Sequence, residues 1–197
     1  MQTKKIQLIL GSISPRRRKI LSEITTRFCV EVVDVDEIHD ATDPVLSVTH
    51  NALMKYNACR QRLPEAAIIT ADTLVWFKGE LIGKPIDLDE AAKFLGSFSG
   101  NSQIVFSAVA MGMPTMDQPD LRVAASSVHF KELSEALIQD YLRRTNPLDR
   151  AGAYDIDENG DLLIERWSGS RTNIMGLPIE IVRDWLLARG MIEDIAE

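Results

Sequence analysis

The sequence predicts an α/β fold with a mixed, partly antiparallel twisted sheet flanked by helices. Short apolar runs alternate with helical patterns in the first third of the chain, which is typical of parallel strands joined by helices. Further along, strand-like runs meet at the turn pair Lys78-Gly79 and again around the loop 113–119, which is typical of antiparallel hairpins. Helix crossovers interrupted by hairpins indicate a sheet with both kinds of strand pairing.

Each predicted element has a local signal. Gly11 closes the first apolar run, and Pro15 and Pro44 suit the first turn of a helix, where the missing N–H has no partner to lose. Ser134 is a predicted N-cap, and Gly190 ends the last helix. The predicted strands are 6–10, 28–35, 67–77, 80–83, 104–111, 122–130 and 162–167. The predicted helices are 15–25, 44–61, 87–95, 135–144 and 177–189.

Composition limits the classes of protein. The chain has 197 residues, 45% of them hydrophobic and 26% charged, which excludes disorder, collagen and a pure coiled coil. The net charge of −7 argues against a nucleic-acid partner and against a membrane surface. No repeat or linker is visible, so we expect residues 1–197 to form a single domain. Basic residues are nevertheless concentrated at 16–19, which averaging over the chain conceals.

The two cysteines indicate a reducing compartment. Cys29 and Cys59 form neither a C-x-x-C motif nor a disulfide framework, so we expect free thiols. The apolar run near the N-terminus is only five residues long, too short for a signal-peptide core or a membrane span. We therefore expect a cytoplasmic protein.

A candidate phosphate site follows the first strand, in the sequence G-S-I-S-P-R-R-R-K at 11–19. Ser14 suits the N-cap, so the helix amides point back toward the strand end, where two hydroxyls converge. Free amides at a helix N-terminus bind anions, and arginines add bidentate contacts to phosphate oxygens. An ordinary capped helix with a solvated basic turn has the same pattern, so both interpretations stay open.

Three further stretches carry candidate chemistry. Asp72 directly follows an apolar strand, where α/β proteins bind ligands, and it suits metal binding, deprotonation of a water, or a plain turn. Gly83-Lys84-Pro85 holds a lysine stiffly but lacks the hydroxyl of a Walker A loop. The small residues in 149–157 and 168–178 allow close backbone approach, although turns alone explain much of this pattern.

Together these stretches resemble the Maf family of nucleoside triphosphate pyrophosphatases. The motifs are S-x-S-P-R-R (12–17), A-D-T (71–73), G-K-P (83–85), D-x-A-G-A-Y (149–154) and N-x-x-G-L-P (173–178), and they cover nearly the whole chain in this order. The resemblance implies two lobes with a cleft between them. It also implies hydrolysis of a canonical, modified or non-canonical NTP or dNTP to the monophosphate and pyrophosphate. A divalent cation, Mg or Mn, would be the cofactor, and a homodimer is compatible with the family.

The resemblance also implies roles for individual residues. Asp72 corresponds to the proton acceptor of the family, a role that sequence does not separate from metal ligation. The implied phosphate-binding residues are Ser12, Ser14, Arg17, Lys55 and Lys84. The implied metal ligands are Asp36, Glu37 and Asp72, and the residues that select the base are Arg16, Thr73 and Asp157. These roles agree with the chemistry, because attack on the α-phosphorus requires cations around the triphosphate and the leaving pyrophosphate.

Four positions depart from the family pattern. Gln103, Asn146 and Arg150 replace the usual His, Glu and Lys. Asp157 stands where members that prefer thymine or uracil nucleotides have Gln. An ionised Asp only accepts hydrogen bonds and matches the two donors of guanine, so we expect relaxed or purine-tilted base selection. The other interpretation is that Asp157 points to solvent and backbone groups hold the base.

The lost His and Glu also favour an alternative function. They are compatible with a nucleotide-binding regulatory protein that is linked to cell division and has little turnover. The sequence alone supports the hydrolase more strongly, because the cationic and acidic residues that the reaction needs are present.

Overall fold

The computed structural model describes residues 6–193, and the order of strands and helices agrees with the sequence prediction. The strands are β1 (Leu8–Gly11), β2 (Phe28–Glu31), β3 (Ala67–Phe77), β4 (Glu80–Ile82), β5 (Ser102–Gly112), β6 (Asp120–Phe130) and β7 (Ile164–Ser168). The helices are α1 (Pro15–Ser22), α2 (Pro44–Arg62), α3 (Leu88–Phe98), α4 (Glu135–Arg144), α5 (Gly160–Leu163), α6 (Arg171–Ile174) and α7 (Ile179–Leu187). A short 3₁₀ turn covers Ala151–Ala153.

The strands form one mixed sheet. Its order is β2-β1-β3-β5-β6-β7, and β4 pairs additionally with β3. Strands β2, β1 and β3 run parallel, whereas β3, β5, β6 and β7 are antiparallel neighbours. The predicted mixed α/β sheet is therefore confirmed.

Among residues 6–193, one edge of strand β3 lacks a partner strand over part of its length, and this unpaired stretch is called the gap in β3. Gly11, the last residue of β1, lies opposite Thr70, and β4 pairs with β3 only from Val75 onward. Between these points, residues 71–74 of β3 pair with β5 but with no strand on the other side within residues 6–193. The motif residues Asp72 and Thr73 lie in this gap, which is where the strand order changes direction.

Alternation along β3 distributes the core over the two faces of the sheet. Ile68 packs on the face that α2 covers with Val48 and Ala52, and Ile69 packs on the opposite face, which α1 and α7 cover. Further along that second face, β3 and β5 meet α3 and α4 in an aromatic cluster. There Phe98 lies 4.9 Å from the ring of Phe77 and 5.1 Å from that of Phe130. Since successive residues of β3 point to opposite faces, Asp72 faces α2 and Thr73 faces α1.

Two predicted strand boundaries were wrong, and one helix was not predicted. Strand β2 ends at Glu31 instead of 35, because β1 offers only four residues to pair with and its last residue, Gly11, lies opposite Glu31. The predicted strand 162–167 begins only at Ile164, because the preceding residues form the single turn α5. Helix α6 was missed, since four residues are too few to show a helical period.

Both cysteines are free thiols, as predicted, with Cys29 exposed and Cys59 buried. Within residues 6–193, none of the helices combines the length and the apolar character that crossing a bilayer requires. The two-lobed division, the homodimer and the cytoplasmic location stay predictions.

The end of β1 is closely packed, which gives a stability prediction. A Cβ atom on Gly11 would lie 2.6 Å from both Cys59 Sγ and Thr70 Cγ2. We expect Gly11→Ala to lower the free energy of unfolding by about 1–3 kcal/mol, because the neighbours must move apart. Urea unfolding followed by circular dichroism measures this change. The matched control is Gly96→Ala within α3, where a Cβ meets nothing within 4 Å and the helix gains stability. Equal stability of the two variants would contradict the packing argument.

Candidate active site

Asp72 is a buried carboxylate on the face of β3 that α2 covers. Its residue is 5% exposed. Its Oδ1 accepts a hydrogen bond from Lys55 Nζ at 2.7 Å, and its Oδ2 accepts one from Asn51 Nδ2 at 3.0 Å. Both donors belong to α2 and lie four residues apart, so they project from the same side of the helix. The carboxylate is therefore fixed in position by two donors and compensated by one positive charge.

A polar stripe along α2 fixes the loop that precedes this helix. Ser47, Asn51 and Lys55 follow one another at intervals of four residues. Ser47 Oγ accepts from the backbone N of Asp40 at 2.8 Å, and Asn51 Oδ1 accepts from the backbone N of Ile38 at 2.8 Å. Asn51 Nδ2 also donates to the carbonyl of Ile38 at 3.0 Å. Ser47 and Asn51 were not predicted from the sequence, although the spacing S-x₃-N-x₃-K was visible beside the apolar side of the helix.

The fixed loop brings a second carboxylate to Lys55. Glu37 Oε1 lies 2.6 Å from Lys55 Nζ, so this ammonium bridges Glu37 and Asp72. Asp36, the other predicted acidic residue, is exposed on the same loop. Within residues 6–193, no group of three or more His, Cys, Asp or Glu side chains is arranged to hold a metal ion. Two of the three predicted metal ligands are thus brought together around one lysine.

Arg17 occupies the opposite face of the sheet. Its Nε donates to the carbonyl of Gly176 at 2.8 Å, its Nη1 to Ser12 Oγ at 3.3 Å, and its Nη2 to Thr73 Oγ1 at 3.1 Å. Thr73 Oγ1 also lies 2.8 Å from Ser107 Oγ. The guanidinium therefore connects α1 and the end of β1 with β3 and with Gly176, two residues beyond the end of α6.

Charged side chains on the two faces of β3 interact electrostatically with one another. Burial lowers the pKa of Arg17, and the negative charges of Asp72 and Glu37 oppose this shift. The arginine remains a cation, since its ordinary pKa lies far above neutrality. Arg17 therefore interacts electrostatically with Asp72 and Glu37, the two carboxylates that also pair with Lys55.

Two of the phosphate-binding residues predicted from sequence, Ser12 and Ser14, lie in the loop after β1 and line a cavity. Ser12 Oγ accepts from the backbone N of Ser14 at 3.2 Å, and Ser14 Oγ caps α1 by accepting from the backbone N of Arg17, as predicted. A cavity of about 490 Å³ adjoins this loop. Its lining consists of Ser12, Ile13, Ser14, Pro15, Arg18, Lys19, Ser22, Val30 and Val32. Another cavity, of about 380 Å³, lies at the far end of β1 and away from these residues.

Lys84 is the most exposed of the predicted phosphate ligands. It follows β4, and the carbonyl of the preceding Gly83 accepts a hydrogen bond from the backbone N of Gly152 at 3.0 Å. This contact ties the G-K-P motif to the A-G-A-Y motif, although the two are far apart in the sequence. Gly152 has a φ of 75°, a conformation that favours glycine.

Two of the three residues predicted to select the base, Arg16 and Asp157, take part in ion pairs, whereas Thr73 binds Arg17. Arg16 Nη1 lies 3.8 Å from Asp155 Oδ2, and Asp157 Oδ1 lies 2.6 Å from Arg171 Nη2. Asp155 is buried and also accepts from Arg150 Nε at 2.7 Å. The sequence analysis missed Asp155 and Arg171, whose partners are visible only in three dimensions. The carboxylate of Asp157 is thus neither unpaired nor directed only to solvent.

Gln103, which replaces the usual histidine, lies on β5 and is 1% exposed. Neither its amide nitrogen nor its amide oxygen has a hydrogen-bond partner among residues 6–193. Arg150, which replaces the usual lysine, makes ion pairs at 2.7–2.8 Å with Asp149, Asp155 and Glu158. The planar guanidinium spans three carboxylates, which a single ammonium does less readily.

Comparison with known proteins identifies the family. Residues 7–189 match the family of Maf-like proteins. The chain belongs to this family. A protein of Akkermansia muciniphila named dTTP/UTP pyrophosphatase is 36% identical over 184 residues, covering 93% of this chain and 96% of that protein. Relatives of the same name occur in Symbiobacterium thermophilum, with 40% identity over 175 residues and 88% and 89% coverage, and in Deinococcus radiodurans, with 37% over 185 residues and 94% of each chain.

These matches bear on two of the sequence-based predictions. The recognised Maf-like family and the predicted nucleoside triphosphate pyrophosphatase are both confirmed. The roles of the individual site residues are not tested by them and stay predictions.

The position of Asp72 depends on Asn51, which gives a second prediction. Asn51→Leu keeps a similar side-chain volume but removes the donor to Asp72 and leaves both backbone groups of Ile38 without their partner. We expect kcat for pyrophosphate release to fall about tenfold or more and the unfolding free energy to fall by about 1–3 kcal/mol. Assays of pyrophosphate release measure kcat, and urea unfolding measures the free energy of unfolding. The control Asn101→Leu removes the hydrogen bonds that its side-chain amide donates to the carbonyl groups of Ser97 and Ser99, outside the site. It should lower the unfolding free energy and leave kcat unchanged. Unchanged kcat in Asn51→Leu would contradict the positioning role.

The ion pairs of Asp155 give a third prediction, on how stability depends on pH. Burial raises the pKa of Asp155, but hydrogen bonds from Arg150 and from the backbone N of Asp157 outweigh it, so the net pKa lies below its ordinary value. A carboxyl group whose pKa is lowered by folding stabilises the fold at pH values above its pKa in the unfolded chain, about 3.9. This stabilisation is lost as the pH falls through the pKa of the folded state. We expect Asp155→Asn to lower stability at neutral pH and to flatten its loss in acid.

Urea unfolding between about pH 7 and pH 2 measures this dependence. The control Asp140→Asn removes an exposed carboxylate that pairs with Arg143 and Arg144 on the surface of α4. The control should leave most of the acid dependence intact. Parallel acid profiles for the wild type and Asp155→Asn would refute the prediction.

Proposed function

We propose that this Maf-like protein hydrolyses UTP and dTTP to the nucleoside monophosphate and pyrophosphate. The observation that carries the proposal is the buried carboxylate of Asp72, which is held by Lys55 and Asn51 beside the gap in β3. The name of these relatives, dTTP/UTP pyrophosphatase, supports the choice of these nucleotides.

The cations of the site suit a triphosphate. Arg17 offers a planar guanidinium whose N–H groups match two phosphate oxygens, and the hydroxyls of Ser12 and Ser14 lie in the same loop. Lys55 supplies further positive charge from α2, and the exposed Lys84 supplies it from the second residue after β4. We propose that these five residues bind the phosphates, since charge must be neutralised on both products of the reaction.

We propose that Asp72 accepts the proton of the attacking water. Its oxygens are fixed by donors from α2, so one of them can receive a proton without a change in side-chain position. The water oxygen forms a bond to the α-phosphorus, and the bond between that phosphorus and the α–β bridging oxygen breaks. The electron pair of the broken bond leaves with pyrophosphate, whose charge Arg17, Lys55 and Lys84 stabilise.

We propose a divalent cation, Mg²⁺ or Mn²⁺, as cofactor, with Glu37 and Asp72 as its protein ligands and Asp36 beside them. Carboxylate oxygens are the donors that these hard cations prefer, often together with substrate phosphates. Glu37 and Asp72 already share the positive charge of Lys55, which supports their fit to a cation. When bound, the metal would polarise phosphate oxygens and neutralise their charge.

The preference for a uracil or thymine base replaces the purine-tilted selection expected from Asp157. That expectation assumed an unpaired carboxylate, which presents only acceptors to a base. Arg171 pairs with Asp157 at 2.6 Å, so this carboxylate does not present acceptors alone. The reason to expect guanine at this position therefore no longer holds.

The fourth prediction tests the role of Asp72. We expect Asp72→Asn to lower kcat about 10²–10⁴-fold, because an amide cannot accept the proton, while nucleotide binding is retained. Pyrophosphate release from UTP, dTTP, CTP and GTP with Mg²⁺ or Mn²⁺ measures turnover, and equilibrium dialysis measures binding. Asp117→Asn, in an exposed loop, is the matched control and should behave as wild type.

Two outcomes would contradict the proposal. Full turnover by Asp72→Asn would remove this residue from its role. Binding of nucleotides by the wild type without release of pyrophosphate from any of them would favour the regulatory, cell-division-linked alternative.

A further inference from the structure

Two buried side-chain amides lack the hydrogen bonds that burial normally requires. Gln103 on β5 is 1% exposed, and Asn173 in α6 is fully buried. In the described part of the chain, residues 6–193, three buried side-chain atoms have no hydrogen-bond partner, namely Gln103 Nε2, Gln103 Oε1 and Asn173 Oδ1. The great majority of buried polar atoms in folded proteins are hydrogen-bonded to protein or to ordered water. All three of these atoms therefore call for a partner, and they belong to only two residues.

The two amides occupy neighbouring positions on one face of the sheet. Asn173 Nδ2 donates to the carbonyl of Val105 at 3.0 Å and to Ser126 Oγ at 2.9 Å. Val105 and Ser126 lie opposite each other in the ladder of β5 and β6, and the next pair on the same face is Gln103 and Val128. Such pairs are about 7 Å apart along the strands, a distance that two side-chain amides and one water molecule can span.

A third polar group, the hydroxyl of Tyr154, lies beside Gln103. The ring of Tyr154 packs edge-on against Phe130, with 5.1 Å between the ring centres. Burial raises the pKa of the Tyr154 hydroxyl, and the side chain of Gln103 opposes this shift. The two groups are therefore near each other, although they do not meet the geometry of a direct hydrogen bond. Buried waters typically make about three hydrogen bonds to polar groups arranged in this way.

Asn173 also holds the segment that binds Arg17. The carbonyl of Asn173 accepts from the backbone N of Gly176 at 2.9 Å and from Ser107 Oγ at 3.4 Å. The carbonyl of Gly176 in turn accepts from Arg17 Nε at 2.8 Å. The position of Asn173 therefore affects the position of the guanidinium.

Tyr154 leads to the other end of the proposed phosphate site. It directly follows the 3₁₀ turn, in which the backbone N of Gly152 donates to the carbonyl of Gly83 at 3.0 Å. Gly83 is the residue before Lys84. Gln103 thus lies between a segment that holds Arg17 and a segment that is bonded to the G-K-P motif.

We propose that Gln103 and Asn173 bind an internal water molecule, and that Gln103 thereby acts as a positioning residue for the segment that holds Arg17. The water bridges the Gln103 amide, Asn173 Oδ1 and the Tyr154 hydroxyl, and so ties β5 to α6 and to the residue after the 3₁₀ turn. The water site goes beyond the proposed pyrophosphatase function and does not depend on it. The positioning role rests on that function, because it concerns a proposed phosphate ligand.

A crystal structure of the full-length protein, at a resolution that shows ordered water, tests the site directly. We expect electron density for a water within about 3.2 Å of both the Gln103 amide and Asn173 Oδ1. This density should be lost in Gln103→Leu. A direct hydrogen bond between Gln103 and Asn173 or Tyr154, with no water between them, would overturn the proposal.

The sign of the stability change in Gln103→Leu gives a second test. A buried amide without partners destabilises the fold, so its replacement by a leucine of similar volume would raise the midpoint of urea unfolding. A water-bound amide has its hydrogen bonds, and leucine would leave Asn173 Oδ1 without its share of them. We expect the midpoint to fall in Gln103→Leu and to recover in Gln103→His, whose ring supplies a donor and an acceptor. A raised midpoint in Gln103→Leu would overturn the proposal.

Turnover of UTP separates positioning from a purely structural role. Gln103 lies on the face of the sheet that carries Arg17, whereas Asp72 is held from α2 on the opposite face. We expect Gln103→Leu to raise the KM for UTP about three- to tenfold and to change kcat less, because a ground-state contact to phosphate is weakened. Gln103→His should restore the KM. An unchanged KM in a destabilised Gln103→Leu would overturn the positioning role.

The matched control is Gln139→Leu, the same substitution at an exposed position of α4. It should leave the KM and the unfolding midpoint close to those of the wild type. A wild type that releases no pyrophosphate from UTP would overturn the proposed function and, with it, the positioning role. The electron density would still decide the water site in that case.

Discussion

The burial of the Asp72 carboxylate is the constraint on which the rest of the site depends. Removing an ionised carboxylate from water costs several kcal/mol unless charged and polar partners replace the solvent. Helix α2 supplies both partners, Lys55 and Asn51, from one side. The same helix is held against β3 by Thr70 Oγ1, which donates to the carbonyl of Ala52 at 2.7 Å. Core packing and site geometry therefore depend on one helix–strand register, and a shift of α2 would disturb both.

The site uses both faces of one strand. In most of a sheet, side chains on opposite faces are separated by the backbone and its paired neighbours. Strand β1 ends at Gly11 and β4 begins to pair only at Val75, so β3 is open on one side between them. Under the proposed function, Arg17 on one face and Lys55 on the other would act on the same triphosphate. The short first strand would then matter to the chemistry as much as the motif residues that follow it.

Local signals in the sequence predicted much of this molecule. Caps, turn pairs and apolar runs sufficed for most strands and helices, and the motif around Asp72 pointed to a residue that the structure buries between Lys55 and Asn51. Asn51, Asp155 and Arg171 were missed because each depends on a partner brought near by folding, and a polar residue without its partner has no distinctive pattern. Asp157 illustrates the same limit, since its charge was visible in the sequence but the arginine that pairs with it was not.

The long antiparallel ladder also determines how the molecule can move. Strands β3 and β5 pair without interruption from Ile68 to Trp76, past the gap where β1 has ended and β4 has not begun. Bending the molecule at this point would break consecutive ladder hydrogen bonds, so a hinge through the sheet is unfavourable. The segment 32–43 is held mainly by side-chain contacts, and the segment 146–159 is held by side-chain contacts together with the backbone bond from Gly152 to Gly83. Adjustment to a ligand should therefore be confined to these loops, while the strand that carries Asp72 stays rigid.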